Sequence, residues 1–318
     1  SMLTEVAFCL TCYFFVLCIE YLPLVLENRQ LDKVPFVHNL SHNMHEIMAI
    51  FAATGAILSF FHQGSLGGVT GVMFARPFGF REHILIWPFT FFLYTWSAAA
   101  AGPCFTILVT KLTEVFARKK LVKDNVIHLL AKIAGWMLFT YIIAKTVDTV
   151  YWAVVTAPAS GTMLGSFYTN NAFYGYWILI LEIVICGWVP ALILINRKTR
   201  EKNTLLWIAV SLAALGVTVN RWVMVLQVLA IPVLPFEEWV LYLPSWQEVA
   251  TTILPVAYGV TVIMISYRYL PIFPQEIELN PIETEGPPEG GTESVPAQEA
   301  ETQEEEKAGE GDLQPAEA

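Results

Sequence analysis

Apolar residues run along this chain in blocks of about twenty, broken by short stretches rich in charge, proline and glycine. A helix crossing a hydrocarbon core about 30 Å thick needs roughly that many consecutive apolar residues. The pattern predicts seven membrane-spanning segments, roughly 3–26, 44–66, 84–110, 126–155, 172–195, 204–231 and 248–270. They must be helices, because backbone groups in lipid have to bond within their own segment. Pro23, Pro88, Pro103, Pro190 and Pro255 fall inside or near the ends of these segments and predict local kinks where freed carbonyls meet neighbouring polar groups. The fold class is therefore an all-α polytopic membrane protein with seven transmembrane helices.

Charge between the segments sets an orientation. One side receives Arg29 and Lys33, the loop 111–125 with Lys111, Arg118, Lys119, Lys120 and Lys123, the loop 196–203 with Arg197, Lys198, Arg200 and Lys202, and Arg268. The other receives only Arg76 and Arg81, while its loop 156–171 is uncharged and its loop 232–247 carries Glu237 and Glu238. Positive loops stay in the cytoplasm, so the first side is cytoplasmic and the N-terminus lies outside. Tyr151, Trp152, Tyr174, Trp177, Trp239, Tyr242 and Trp246 ring the outer face as an interfacial aromatic belt. The chain enters its first apolar block at once, without a charged leader or cleavage site. An outside N-terminus without a leader implies that an odd number of upstream helices is missing.

Composition agrees, since 55% of residues are hydrophobic and only 14% charged. The net charge of −10 belongs to the end of the chain, because residues 275–318 hold fourteen of the twenty-eight acids and a single base, Lys307. That segment is poor in aromatics, cannot bury enough apolar surface to offset its chain entropy, and is read as a disordered acidic cytoplasmic tail. All five cysteines, Cys9, Cys12, Cys18, Cys104 and Cys186, sit inside apolar blocks, so no disulfide framework or metal set follows.

Polar groups at membrane depth are costly and persist when paired or functional. Near the outer face lie Glu5, then His62, Gln63 and Ser65 at the end of the second block, and Glu248 at the start of the seventh. Nearer the cytoplasm lie Glu20, His45 and Glu46. Lys145 and Asp148, one helical turn apart, join Glu182 and Arg221 in the middle to outer half of the later helices. These four cancel in charge and read either as two buried ion pairs that fix helix packing or as a proton relay. His62 with His83, and His45 with His128, resemble the axial pairs of a di-haem membrane cytochrome b. An ion or solute transporter built on the buried charges is a further reading, although no inverted repeat supports it.

"FHQGSLG" (61–67), followed by a proline- and aromatic-rich helix, resembles the H-Q-x-S-x-G signature of the NrfD-like, or polysulfide reductase membrane-subunit, family. "SMLTE" (1–5) resembles that family's glutamate-bearing helix start, and "WILILE" (177–182) its W-x3-L-E helix. "NRW" (220–222) is similar to its buried arginine, and "YLPSWQE" (242–248) with "YLPIFP" (269–274) to its last-helix signature. The nearest branch is the one with HybB and DsrP. The resemblance covers residues 1–274 and leaves 275–318 outside.

What the resemblance implies is specific. Members of that branch are ten-helix proteins of two four-helix bundles with flanking helices, which makes the seven segments the fourth to tenth. They bind no haem or metal. They exchange electrons between menaquinone or ubiquinone and a ferredoxin-like iron–sulfur subunit on the periplasmic face, within a respiratory oxidoreductase complex of anaerobic respiration that also holds a catalytic or multihaem cytochrome subunit. The setting is the bacterial or archaeal inner membrane, with lipid around the subunit and no nucleic-acid partner. Carried over by position, Glu5, His62, Gln63 and Ser65 stand near the quinone head group, and Lys145, Asp148, Glu182 and Arg221 line the second bundle. Glu20, His45 and Glu46 form a cytoplasmic intake for protons, should protons cross. A quinone carbonyl needs a hydrogen-bond donor and, on reduction, two protons, which histidine and a partly buried glutamate suit. Glycines 64, 67, 68 and 71 would allow close backbone approach. No complete active site is expected in this chain alone.

Overall fold

The computed structural model describes residues 2–28, 31, 33–71, 89–159, 175–230 and 243–279. Seven helices among them are long and apolar enough to cross a membrane. They are α1 (Met2–Leu26), α2 (Pro35–Gly71), α3 (Phe89–Ala117), α4 (Asp124–Tyr151), α5 (Tyr176–Ile195), α6 (Asn203–Ala230) and α7 (Trp246–Tyr269). The protein is all-α and polytopic, with no strand among the described residues. Ser1–Asn280 group as one compact unit.

Two helices outrun the apolar blocks. At 1.5 Å per residue, the 37 residues of α2 reach roughly 55 Å, well beyond the hydrocarbon core. Its first turns, "PFVHNLSHN", are polar but helical: Pro35 fits the first turn because its missing N–H needs no partner there, and the Val37 and His38 amides bond Val34 O. α3 continues past Lys111 to Ala117, since Lys111 and Glu114 pair at 3.2 Å three residues apart on one face. The proposed kink site Pro88, the segment start at 84 and the belt residues Tyr174, Trp239 and Tyr242 lie outside the described residues.

The apolar core is a four-helix bundle of α3, α4, α5 and α6. Cys104 and Ile107 of α3, Ala131 and Ala134 of α4, Ala191 and Leu194 of α5, and Ala209 and Val210 of α6 meet in it fully buried. Small residues make the approach close: a Cβ on Gly135 would stand 2.8 Å from the Leu194 backbone, and one on Gly216 would stand 2.8 Å from Cys186 O. α1 and α2 form an antiparallel hairpin, with Gly55 against Val16, Tyr13 and Glu20, and α2 joins the bundle through α3.

Helix ends show their chemistry. Arg200, buried after α5, donates from Nη1 to Leu194 O and Ile195 O at 2.7 and 3.1 Å, placing a cation at a helix C-terminus. α7 opens on a capping box, in which Ser245 Oγ accepts from the Glu248 amide and Glu248 Oε2 accepts from the Ser245 amide at 2.7 Å. Its far end meets α1 through Tyr21 Oη and Ser266 Oγ, and through Asn28 Nδ2 donating to Tyr269 O at 3.2 Å.

Residues 275–279, assigned by composition to a disordered tail, are instead held, with a helical turn at Glu276–Leu279. Glu276 pairs with Lys119 at 3.4 Å and accepts from Tyr267 Oη at 3.0 Å, while Glu278 pairs with Lys123 at 2.6 Å. The composition of a window averages these acids with the chain beyond, so their basic partners, roughly 155 residues upstream, do not show. Residues 280–318 lie outside the described residues.

Candidate functional site

The H-Q-G-S-L-G stretch lies inside α2, one turn or more before its end, because the apolar block stops there while the helix does not. Glycine fixes its setting. A Cβ at Gly64 would stand 2.3 Å from the Phe91 ring, and one at Gly67 would stand 2.3 Å from Thr90 O and 2.8 Å from the Tyr94 ring. α2 can therefore press its backbone onto α3 only with glycine at these positions. Ser65, between these glycines in sequence, is buried. His62 Nδ1 and Thr90 Oγ1 are also buried and have no hydrogen-bond partner among the described residues. Buried polar atoms in native proteins are nearly always bonded, so the His62 ring, seven residues on from Gly55 and so on the α1-facing side of α2, marks a place where something polar belongs.

Gln63 turns the other way, into the bundle. Its Oε1 accepts from Arg221 Nη2 at 3.2 Å, and the same nitrogen donates to Tyr94 O at 2.8 Å. Arg221 Nη1 donates to Ser97 Oγ at 2.9 Å and to Asn220 Oδ1 at 3.1 Å, and the guanidinium lies 3.7 Å over the Tyr94 ring. One side chain of α6 thus ties α2 and α3 together. Asn220 passes the contact onward, donating from Nδ2 to Glu182 Oε1 at 2.7 Å. Glu182 pairs with Lys145 Nζ at 3.2 Å, both nearly inaccessible, and Lys145 also reaches Met224 Sδ at 3.5 Å. Asp148 is buried one turn along α4.

The expected pairing of charges is therefore uneven. Lys145 and Glu182 form an ion pair, whereas Arg221 is satisfied by neutral oxygens and an aromatic face. The reason is reach: a planar fork with five donors meets carbonyls, a hydroxyl and an amide on three helices at once. Asn220, Ser97, Tyr94 and Met224 belong to this network and were not singled out from sequence; only the asparagine, a polar residue in a membrane helix, gave a signal. The space beside the ion pair is about 10 Å³, enough for one water at most, so this is a packed network and not a ligand chamber.

A π-helical stretch, Ile180–Trp188, carries Glu182, and the Val189 amide bonds Val184 O five residues back. Such departures from α-geometry recur at functional sites. Gly187 leaves room there for Ile142, whose side chain a Cβ would meet at 2.3 Å.

The remaining residues lie apart. Glu5 is exposed on α1; counting along both helices from the Val16–Gly55 contact, it stands about level with Leu66. At the opposite end of the hairpin His45 Nε2 meets Glu27 Oε1 at 2.5 Å, and Ser41 donates to the same oxygen at 3.2 Å. Glu27, in the turn after α1, was missed because it reads as an ordinary interfacial acid. Glu20 lies deeper, beside Gly55, and Glu46 is exposed. Glu248, an outer-face candidate, serves its own helix as a cap. Of the histidines proposed as axial pairs, His45 is engaged on the α1–α2 hairpin and His128 lines a cavity between α3, α4 and α6. His83 lies outside the described residues. No group of three or more His, Cys, Asp or Glu suited to a metal occurs among the described residues.

Set against models of protein families, the chain matches none. It is 52% identical over 280 residues to the menaquinone reductase, integral membrane subunit, of Nitratidesulfovibrio vulgaris, covering 88% of this chain and 67% of that protein. A further protein of the same organism is 24% identical over 278 residues, covering 85% of this chain and 63% of its own length. The chain thus spans about two thirds of the length of the curated relatives it matches.

Proposed function

Because the chain belongs to the family of the menaquinone reductase integral membrane subunit, we propose that it is a quinone-interacting membrane subunit of a respiratory oxidoreductase complex. It exchanges electrons between a quinone in the bilayer and an iron–sulfur partner subunit, and further catalytic or multihaem cytochrome subunits complete the complex. Menaquinone is the favoured carrier, since the 52%-identical relative is named for it. The reading extends to the NrfD-like fold, its HybB and DsrP branch, an inner-membrane setting and a cytoplasmic tail.

The observation that carries the site is the buried Nδ1 of His62, which has no hydrogen-bond partner among the described residues, three residues before the buried Ser65 on the same helix. A quinone carbonyl supplies the acceptor for an Nδ1–H, and the protonated ring, a donor at both nitrogens, hands that proton to the reduced oxygen. Reduction consumes two electrons from the partner's cluster and two protons to give the quinol, and His62 with Glu5 delivers the protons from the same end of the hairpin. Ser65 completes the head-group contacts, while Gln63, turned into the bundle and bonded to Arg221, braces the helix behind them.

The chain Gln63–Arg221–Asn220–Glu182–Lys145 is continuous, yet it is a positioning device and not a proton wire. Arginine does not deprotonate in proteins and an asparagine amide carries no titrating proton. Any proton path starts instead at the other end, from Glu27 and His45 with Glu46 and Glu20. His62→Ala in the intact complex is expected to lower quinone-analogue reduction by about a hundredfold, the low end of what a positioned acid–base group contributes, while the subunits still co-purify. Turnover equal to wild type in an assembled complex overturns the site.

A further inference from the structure

At the end of the bundle that carries the basic loops, a cavity of about 470 Å³ opens between the end of α3, the loop 118–123, the start of α4 and the start of α6. Glu114 shapes it, accepting from the Leu121 and Val122 amides at 3.1 and 3.4 Å and drawing the loop over its own helix end. The cations around it differ in what they have left to offer. Lys111 meets Glu114 at 3.2 Å, Lys120 meets Asp124 at 2.5 Å and Lys119 meets Glu276 at 3.4 Å. No hydrogen bond or ion pair to the Arg118 side chain occurs among the described residues. Opposite it, His128 Nδ1 is buried without a hydrogen-bond partner among them.

Arg118 also stands at φ 55°, in the left-handed region that glycine adopts freely and an L-residue adopts at a cost. The position follows directly on the last residue of α3, where glycine is the usual helix terminator. An arginine there gives up backbone ease and presents a guanidinium with all five donors uncommitted. Next to this lining on α3, Val115, four residues after Lys111, is apolar and 62% exposed. A polar, net basic chamber thus borders directly on apolar surface facing lipid.

We propose that this cavity binds the headgroup of an anionic phospholipid, its phosphate bridged by the Arg118 guanidinium and the His128 ring, its acyl chains leaving past the exposed Val115. Fork-shaped donors match phosphate oxygens, and basic recesses between membrane helices attract anionic headgroups. The apolar margin is what favours a lipid over free phosphate.

The test uses the intact complex, extracted in neutral detergent, stripped of lipid and titrated with phosphatidylglycerol while its thermal midpoint is followed. Parallel titrations use phosphatidylcholine and inorganic phosphate. Arg118→Gly removes the guanidinium and relieves the backbone, so its midpoint without lipid should equal or exceed wild type. One cation near the surface is worth about a fivefold change in affinity. Arg118→Gly should therefore need about five times more phosphatidylglycerol for half the shift, and Arg118→Lys should recover part of the loss. Titration of Arg118→Gly identical to wild type overturns the site. So does an equal shift from phosphatidylcholine, which removes the charge selectivity, or from inorganic phosphate alone, which removes the lipid.

Discussion

Replacing Lys145 by Met, and then Glu182 by Gln in the same chain, separates the cost of an orphaned charge from the worth of the pair. At 3.2 Å and an effective dielectric constant of about 20, the attraction is about 5 kcal/mol. Lys145→Met leaves the Glu182 carboxylate buried with the Asn220 amide, at 2.7 Å, as its one remaining donor in the network described above. Breaking one side of a buried pair costs about 3–5 kcal/mol, and the retained amide keeps the expected loss near the lower end, about 3 kcal/mol. The double variant removes both charges, the methionine packs against Met224, and the new side-chain amide oxygen on α5 still accepts from Asn220. It should fall within about 1 kcal/mol of wild type. Equilibrium unfolding in mixed detergent micelles, run on wild type, both single variants and the double, measures the coupling directly. A Lys145→Met protein that unfolds with wild-type free energy, or a double variant as unstable as the two single losses added, would refute the reasoning.

Two further outcomes follow from other contacts. Gly67→Ala drives a methyl group to within about 2.3 Å of the Thr90 carbonyl, a backbone atom that cannot step aside, so the α2–α3 seam should open at a cost of about 1–3 kcal/mol, read as lower yield of the assembled complex and faster exchange of α2 amides; wild-type exchange would count against the close approach. The hydrogen bond from Lys123, reinforced by its charge, holds the Glu278 carboxyl below its usual range. A depressed folded value means that the tether's contribution is complete above the ordinary glutamate pKa of about 4.3 and is lost as pH falls through the lower folded value. A spin label at Leu279 should therefore stay immobilised from neutral pH to about 4.5 and loosen below it, whereas loosening between about pH 8 and 6 would point to another group.

Helix number and identity were readable because a bilayer imposes a length, and no alternative secondary structure survives in it. Helix ends were not, since "PFVHNLSHN" looks like a loop to any measure of apolarity and yet continues α2 into the interfacial water. The inward placement of Lys145 and Glu182 could be anticipated from the cost of exposing them to lipid. Their mutual contact could not, because it depends on a π-helical stretch that no residue in "ILEIVICGW" announces. Arg221 drew notice as a buried cation, but its partners Gln63, Tyr94 and Ser97 lie more than 120 residues away and are chosen by the packing of three helices. Glu248, noted in the sequence only as an acid near the outer face, has a local place: three residues back a serine makes it half of a cap.

The five-back bonding of Ile180–Trp188 has a consequence for how this wall of the bundle tolerates change. A wide turn accommodates a residue that a regular α-helix of equal rise would leave out. Removing one residue from it would restore regular winding with the flanking helices near their present registers, and the residues that change direction are those inside the stretch, Glu182 among them. The carboxylate's aim at its ammonium partner is thus written in the count of residues as much as in their identity, and a one-residue deletion here should do more harm than most substitutions.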